Sequence, residues 1–366
     1  MLFTKNRRDQ RDQHGQAVVL IAVMLAVIGG MAALAIDFSS YAADHRDLQN
    51  DADAVALAAS FDLPDGSAAT AAAESWATKN NIEAAEIESV EIIPQSGSEP
   101  NPKVRVTLKR EHNFTFARLI GISSADVITA ATAIKTSAAG GDGVVPLSVT
   151  AAAMNGVSLG GEVVLKYDAR NIQNGNTSPI RIDGNGNGNC TSSDSYCDGV
   201  KFGSENAVCA LGADPTYCDG PSVVDTQTGN LIGGTKRAIE YRLDNTDSRC
   251  NEFDEVFTDE DGTGTPDQDG DGIYRLTNEC NPFTEGGYES LRVLIVPVID
   301  GPCNGSCSVT IQDFALFFLE GFANGNNCTG NDCEIIGRFV RVNQNIGLLA
   351  GTFDPDSANS FIRLVE

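Results

Sequence analysis

The sequence predicts an α+β protein in three parts: an N-terminal transmembrane and amphipathic helix, a small α+β module, and a disulfide-rich, mainly-β domain. Three observations carry this. Residues 17–36 are a twenty-residue stretch with no charged side chain. Short alternating runs follow an Ala-rich helical stretch between residues 61 and 140. All ten cysteines lie between Cys190 and Cys333. An even number of cysteines confined to one region signals an exported domain stapled by disulfides.

At 366 residues, the chain can hold two domains with cores of their own. It has 25 Lys plus Arg against 50 Asp plus Glu, a net charge of −25. Such a balance excludes a nucleic-acid partner, which needs clustered cations to displace counterions from phosphates. It also argues against docking on anionic lipid through a basic surface. A hydrophobic content of 42% excludes a chain disordered throughout.

Residues 1–16 form a basic tail with Lys5, Arg7, Arg8 and Arg11. The apolar residues 17–36 span ~30 Å as a helix, the thickness of a bilayer's hydrocarbon core. The lipid bilayer is therefore one expected partner. The positive-inside rule places the N-terminus in the cytoplasm and exports the rest. A cleaved signal peptide is the alternative, since Ala33-Leu34-Ala35 has the small-x-small form of a cleavage site. Residues 37–60 continue without Pro or Gly, so residues 17–60 could form one rod of ~66 Å. Leu48, Ala52, Val55, Ala56 and Ala59 make a stripe at helical spacing. Small residues permit close helix approach, and the stripe is expected to pack on partner helices. Packing on its own domain is the other reading.

The N-terminal region resembles the TadE/TadG-like proteins of tight-adherence (Flp) pilus assembly. The resemblance rests on Gly15-Gln16-Ala17, on the exit Ala32-Ala33-Leu34-Ala35-Ile36-Asp37, and on Leu48-Gln49 leading into Asp51-Ala52-Asp53-Ala54-Val55-Ala56-Leu57-Ala58-Ala59. It covers residues 10–60, and more loosely the chain to about 140. The family implies a single-pass protein of a bacterial cytoplasmic membrane whose partners are other pilus-assembly membrane proteins. Prepilin-like members keep a Glu five residues after the processed Gly; Leu20 stands there after Gly15, which implies an unprocessed, TadG-like member. Asp37-Phe38-Ser39-Ser40-Tyr41 departs from the Asp-x-Ser-x-Ser metal motif of longer members, so no such metal site is expected there.

Residues 37–140 are expected to hold the outer half of the rod and the small α+β module. A helix at 67–79 precedes strands at Ile87–Ile93 and Lys103–Glu111; Val104, Val106 and Leu108 alternate with polar residues in the second. Phe114–Ile120 adds a short helix and Asp126–Ile134 another strand. Residues 138–143 (AAGGDG) read as a linker. The exported region, residues 141–366, carries strand-like runs at Val144–Val149, Glu162–Asp168, Leu291–Ile299, Ser308–Leu319, Glu334–Val342 and Phe361–Val365. Gly/Asn/Asp-rich stretches at 171–235 and 251–290 separate them. A sandwich or jelly-roll form is expected, with disulfides ordering loops longer than unstructured connections usually are.

Neighbouring cysteines are expected to pair: Cys190–Cys197, Cys209–Cys218, Cys250–Cys280, Cys303–Cys307 and Cys328–Cys333. Zinc is the rival reading for the last four. Tyr196-Cys197-Asp198-Gly199 recurs as Tyr217-Cys218-Asp219-Gly220, which suggests two cystine loops in series.

Calcium is the one cofactor the sequence suggests. Asp267, Asp269 and Asp271 stand at positions 1, 3 and 5 of a calcium loop, with Gly272 at position 6 and the main chain of Ile273 at position 7. Asn278 occupies position 12, and Glu279 is the nearest carboxylate. Residues 252–271 hold nine acidic side chains and no basic one, a crowding that a divalent cation relieves. A solvated acidic turn is the alternative. Asp183, Asn185 and Asn187, with Asp194 at position 12, form a weaker candidate that ranks behind a plain Gly/Asn turn.

Catalysis is not expected. Gly156-Val157-Ser158-Leu159-Gly160 has the letters of a nucleophile elbow, but His14, His45 and His112 all precede that Ser, whereas the hydrolase order needs a His after it. Three functions from different classes remain. The leading one is a membrane-anchored structural component of a Tad/Flp-type apparatus. The second is a surface-displayed adhesion or ligand-binding module with calcium-ordered loops, and the third a secreted enzyme with no recognisable site.

Overall fold

The computed structural model describes residues 9–97, 99–154, 157–166, 179–184, 190, 195–227, 229, 231–259, 264, 266, 273–284, 290–301, 305–323, 325, 328, 333–342, 346–355, 357 and 359–365. The chain divides into two compact units. The first is Met1–Ile93, Lys103–Ala133 and Leu364–Glu366; the second is Pro94–Pro102 and Ile134–Arg363.

In the first unit α1 (Asp9–Ser60) is one unbroken helix of 52 residues. It ends where Pro64 approaches, since a proline disfavours helical backbone in the residue before it and cannot donate to the preceding turn. Asp65 then caps α2 (Gly66–Lys79), its Oδ1 accepting the N–H groups of Ser67 and Ala68 at 2.9 and 3.0 Å. Strands β1 (Ile87–Ile93), β2 (Lys103–Asn113) and β3 (Ser124–Gly141) are neighbours in that order, and β1 runs antiparallel to β2 with Val90 opposite Val106. The core joins Leu48, Ala52, Val55, Ala56 and Ala59 of α1 to Ala69, Ala73 and Ala77 of α2 and to Val104, Val106 and Leu108 of β2. Alanine on both helices lets them approach closely, while the valines and leucine of β2 fill the space beneath.

The helix and strands expected between residues 67 and 134 are present at nearly the expected positions. The linker at 138–143 is not: β3 continues to Gly141, and the division between the units falls inside it, between Ala133 and Ile134. A Gly-rich sequence can stay extended when neighbouring strands pair with it.

The second unit contains β4 (Val149–Thr150), α3 (Ala151–Met154), β5 (Glu162–Lys166), β6 (Ile180–Arg181), α4 (Ser195–Phe202), β7 (Val208–Cys209), β8 (Val223–Thr226) and α5 (Ile232–Asn245). It continues with α6 (Phe253–Val256), β9 (Phe257–Asp259), β10 (Ile273–Leu276), β11 (Val293–Ile299), β12 (Ser308–Phe322), β13 (Ile335–Val342), β14 (Leu349–Ala350) and β15 (Ser360–Val365), whose last two residues belong to the first unit. A nine-stranded sheet has the central order β4-β11-β12-β13-β10-β9, with β5 also on β13 and β8 on β12. Every residue of β11 is buried because both faces of the sheet are covered. Leu294, Val296, Phe317 and Leu319 pack on one face with Tyr196 and Val200 of α4 and Ala238 and Ile239 of α5. Ile295, Leu316, Phe318 and Val340 pack on the other with Phe257, Tyr274 and Leu276.

A helical layer, which the sequence did not predict, covers one face of this sheet, while on the other face the core also takes in Ala138 of β3, Val208 of β7 and Phe361 of β15, strands of a second sheet. Helix α5 escaped the sequence because Gly233 and Gly234 open it and few of its residues are apolar. Its fixed point is Arg242, fully buried, which donates to the carbonyl of Val200 in α4 and to that of Leu291 at 2.6 Å. Burial pushes its guanidinium down to about 9.

The disulfides join neighbours. Cys190–Cys197, Cys209–Cys218, Cys250–Cys280 and Cys328–Cys333 are formed. Cys307 is also disulfide-bonded, and Cys303 lies outside the described residues. Zinc is thereby displaced at Cys328 and Cys333. The Tyr-Cys-Asp-Gly echo is not a structural repeat: Tyr196 is buried in α4, whereas Tyr217 lies exposed in a turn. Both copies close a cystine loop, but different neighbours set their conformations.

Candidate functional site

Two regions carry the candidate residues: α1, in the first unit, and the acidic segment, in the second. Along α1 the large apolar side chains from Val18 to Ile36 are exposed, as they must be if lipid or another helix is to cover them. A Cβ added at Gly29 or Gly30 would meet nothing within 4 Å. Among the described residues α1 is the one helix long and apolar enough to cross a membrane.

Burial begins at Asp37, the last residue of the Leu-Ala-Ile-Asp exit. Its carboxylate accepts the backbone N–H groups of Thr115 (2.9 Å), Phe116 (2.9 Å) and Ala117 (2.6 Å). Three donors converge there because Ala117–Ile120 opens a 3-10 turn whose first N–H groups have no partner within the turn. Asp37 thus ties the chain after β2 to the point where α1 leaves its apolar stretch. Two turns further along α1, His112 Nδ1 lies 2.5 Å from the Asp44 carboxylate, and its ring meets Tyr41 and Phe114 edge-on.

The polar residues of the second motif are engaged in the same way. Arg110 forks between Glu86 and Asp51, with Nη2 3.0 Å from the Asp51 Oδ2. Hydrogen bonding to Arg110 holds the Glu86 carboxyl below its ordinary value. Gln49 donates to Asp53 at 2.8 Å and to the carbonyl of Ala130 at 3.3 Å, while Thr129 donates to the carbonyl of Leu48 at 3.2 Å.

These contacts correct the expectation for the stripe. Leu48, Ala52, Val55, Ala56 and Ala59 are fully buried within their own unit, so they hold the module on the rod and present nothing to a partner helix. An amphipathic stripe has the same periodicity whether its cover comes from its own chain or another. Sequence reasoning also missed Arg110 and His112. Both continue the inward register set by Val104, Val106 and Leu108, and a polar side chain at an inward position is the signal that a polar partner faces it.

In the second unit Asp267, Asp269 and Asp271 lie outside the described residues, as do Asn185, Asn187 and Asp194. Ile273 opens β10, which pairs antiparallel with β9: Tyr274 faces Asp259 and Leu276 faces Phe257. Asp259 and Ile273 therefore flank residues 260–272, the part of the acidic segment that holds the calcium candidates, and Cys250–Cys280 encloses the whole hairpin. Glu279 follows β10, at the opposite end of the hairpin, in the turn after Thr277, whose N–H meets the Val256 carbonyl. Whether Glu279 reaches Asp267, Asp269 and Asp271 depends on residues outside those described. Asp183 has other work: it accepts the N–H groups of Glu205 and Asn206, both at 2.9 Å. Among the described residues no group of three or more His, Cys, Asp or Glu side chains is gathered to hold a metal.

Residues 15–74 match the model of a family described as putative Flp pilus-assembly TadE/G-like. The match covers α1 from Gly15 and most of α2, about a sixth of the chain. No curated protein and no solved structure matches. Residues 15–74 are thus TadE/G-like, and the one candidate span among the described residues fits a membrane-anchored, single-pass arrangement.

Proposed function

From this TadE/G-like N-terminal region, we propose that the protein is a membrane-anchored structural component of a Tad/Flp-type pilus-assembly or secretion apparatus. It is TadG-like and unprocessed, with its N-terminus in the cytoplasm and its acidic, disulfide-stapled region outside the membrane. Its work is to hold and position, not to catalyse. The observation that supports this best is the division of labour along α1: residues 48–59 are consumed by their own module, and residues 17–36 keep every large apolar side chain exposed. Contact with other pilus-assembly membrane proteins therefore falls to the span, inside the bilayer.

A photo-crosslinking residue at Leu25, in the membranes of the source cell, tests this. It is expected to capture other pilus-assembly membrane proteins, while the same residue at Asp62, beyond the helix, captures none. Lipid adducts alone at Leu25 would defeat the assignment and leave a simple tether.

The tether is the second reading: a displayed adhesion or ligand-binding module whose acidic segment is ordered by calcium. The β9–β10 ladder and the Cys250–Cys280 bridge favour it, because they hold both ends of the segment and reduce the ordering a cation must supply. Asp267, Asp269 and Asp271, with the main chain of Ile273, would be the ligands. An extracellular-type site binds with a Kd of about 10⁻⁴–10⁻³ M. A tenfold excess of calcium over Kd then stabilises the fold by about 1.4 kcal/mol. Thermal unfolding with calcium and with chelator is expected to show that gain, and Asp269→Ala to abolish it. A wild-type midpoint indifferent to calcium removes the site.

A further inference from the structure

We propose that residues 114–123 form a tip that inserts into the interface of the same bilayer that α1 spans, giving the first unit a second membrane contact. The inference rests on α1 being a membrane anchor. The sequence here is Phe-Thr-Phe-Ala-Arg-Leu-Ile-Gly-Ile-Ser, with one cation and no anion in a chain whose net charge is −25. Leu119 is 86% exposed, Ile120 70% and Ile122 50%, and Phe38 on α1 is 74% exposed. Large apolar residues gathered at a chain tip signal a surface that something covers.

The position of the tip identifies the cover. Asp37 is the first residue after the apolar span, and its carboxylate is bonded to Thr115, Phe116 and Ala117. The tip is thereby held beside the point where α1 leaves the hydrocarbon, at the depth of the headgroups. Its backbone suits a medium poor in water. Phe114 donates to the Ser123 carbonyl at 3.0 Å, Leu119 to Phe116 at 2.9 Å, and Gly121 to Arg118 and Ile122 to Ala117, both at 3.1 Å. With the three N–H groups on Asp37, most of the donors through the turn are satisfied internally, the condition for lowering backbone toward lipid. Gly121 closes the turn at a φ of 92°, which lets the chain reverse within so few residues. Arg118, on the same turn, can reach phosphate oxygens while Leu119 and Ile120 point into the acyl boundary, the usual division at an interface.

The test uses the full-length chain reconstituted in phosphatidylcholine–phosphatidylglycerol vesicles. Trp76, the only tryptophan, is replaced by Phe. A single Trp is then placed at Leu119 in one variant and at Leu25 in another. Lipids brominated near the headgroup end of the acyl chain are expected to quench Leu119→Trp, and lipids brominated deep in the chain to quench Leu25→Trp. Iodide in the buffer is expected to leave both bright. If Leu25→Trp is quenched while Leu119→Trp answers only to iodide, the tip stands in water and the proposal falls with the anchor intact. If Leu119→Trp is shielded from iodide yet blind to bromolipid, protein covers it and the proposal also falls. If bromolipid quenches neither position, the anchor reading fails as well.

Discussion

Replacing Asp37 with alanine is expected to release residues 115–117 from α1 and to lower the unfolding midpoint of the first unit clearly below that of the wild type. Three backbone donors would lose one shared charged acceptor at once. Asp37→Asn should recover about half. The amide oxygen still accepts, but its NH₂ group faces an N–H where Asp37 now offers a second oxygen. Trp76, in α2 of the same unit, supplies a clean signal for urea unfolding of the full-length chain in detergent. Unfolding midpoints that coincide for wild type and Asp37→Ala would show the clasp to be energetically idle.

Replacing Cys250 and Cys280 together with alanine is expected to cost the second unit about 3–4 kcal/mol. The bridge closes a separation of 30 residues, and chain-entropy reasoning assigns that stabilisation to a loop of this size. Alanine avoids placing a hydroxyl where both cysteines are buried in the apolar core. The same reasoning gives only about 2 kcal/mol for Cys328–Cys333, whose separation is 5. Thermal unfolding followed by far-ultraviolet circular dichroism should rank the two double variants in that order. Equal losses would mean that local packing around the bridges, not loop closure, sets their worth.

Much of the fold was legible because its signals are local. A charge-free run as long as a bilayer is thick, a helix continued through residues 37–60 without Pro or Gly, and the alternation of Val104, Val106 and Leu108 each lie within a short window. The cysteine pairs were legible for the same reason: four of them join nearest neighbours along the chain. Helices α4 and α5 and strands β6–β10 were not, because their order comes from what they touch. Arg242 is helical and buried through the carbonyls of Val200 and Leu291, and a two-residue strand such as β6 has no periodicity to read.

The candidate site divides along the same line. From the sequence alone came the span, the basic flank that orients it, the exit at Asp37, the stripe at 48–59 and the acidic segment at 252–271. Each is a property of composition or spacing. Only the tertiary structure decided what those features face. Asp37 meets the backbone of residues 115–117, Asp51 meets Arg110, and the stripe meets α2 and β2 of its own chain. The partners of these residues lie up to 81 positions away along the chain, as for Gln49 and Ala130. Hydrophobic period reports that a face is covered; which surface covers it depends on contacts that exist only after the chain has closed on itself.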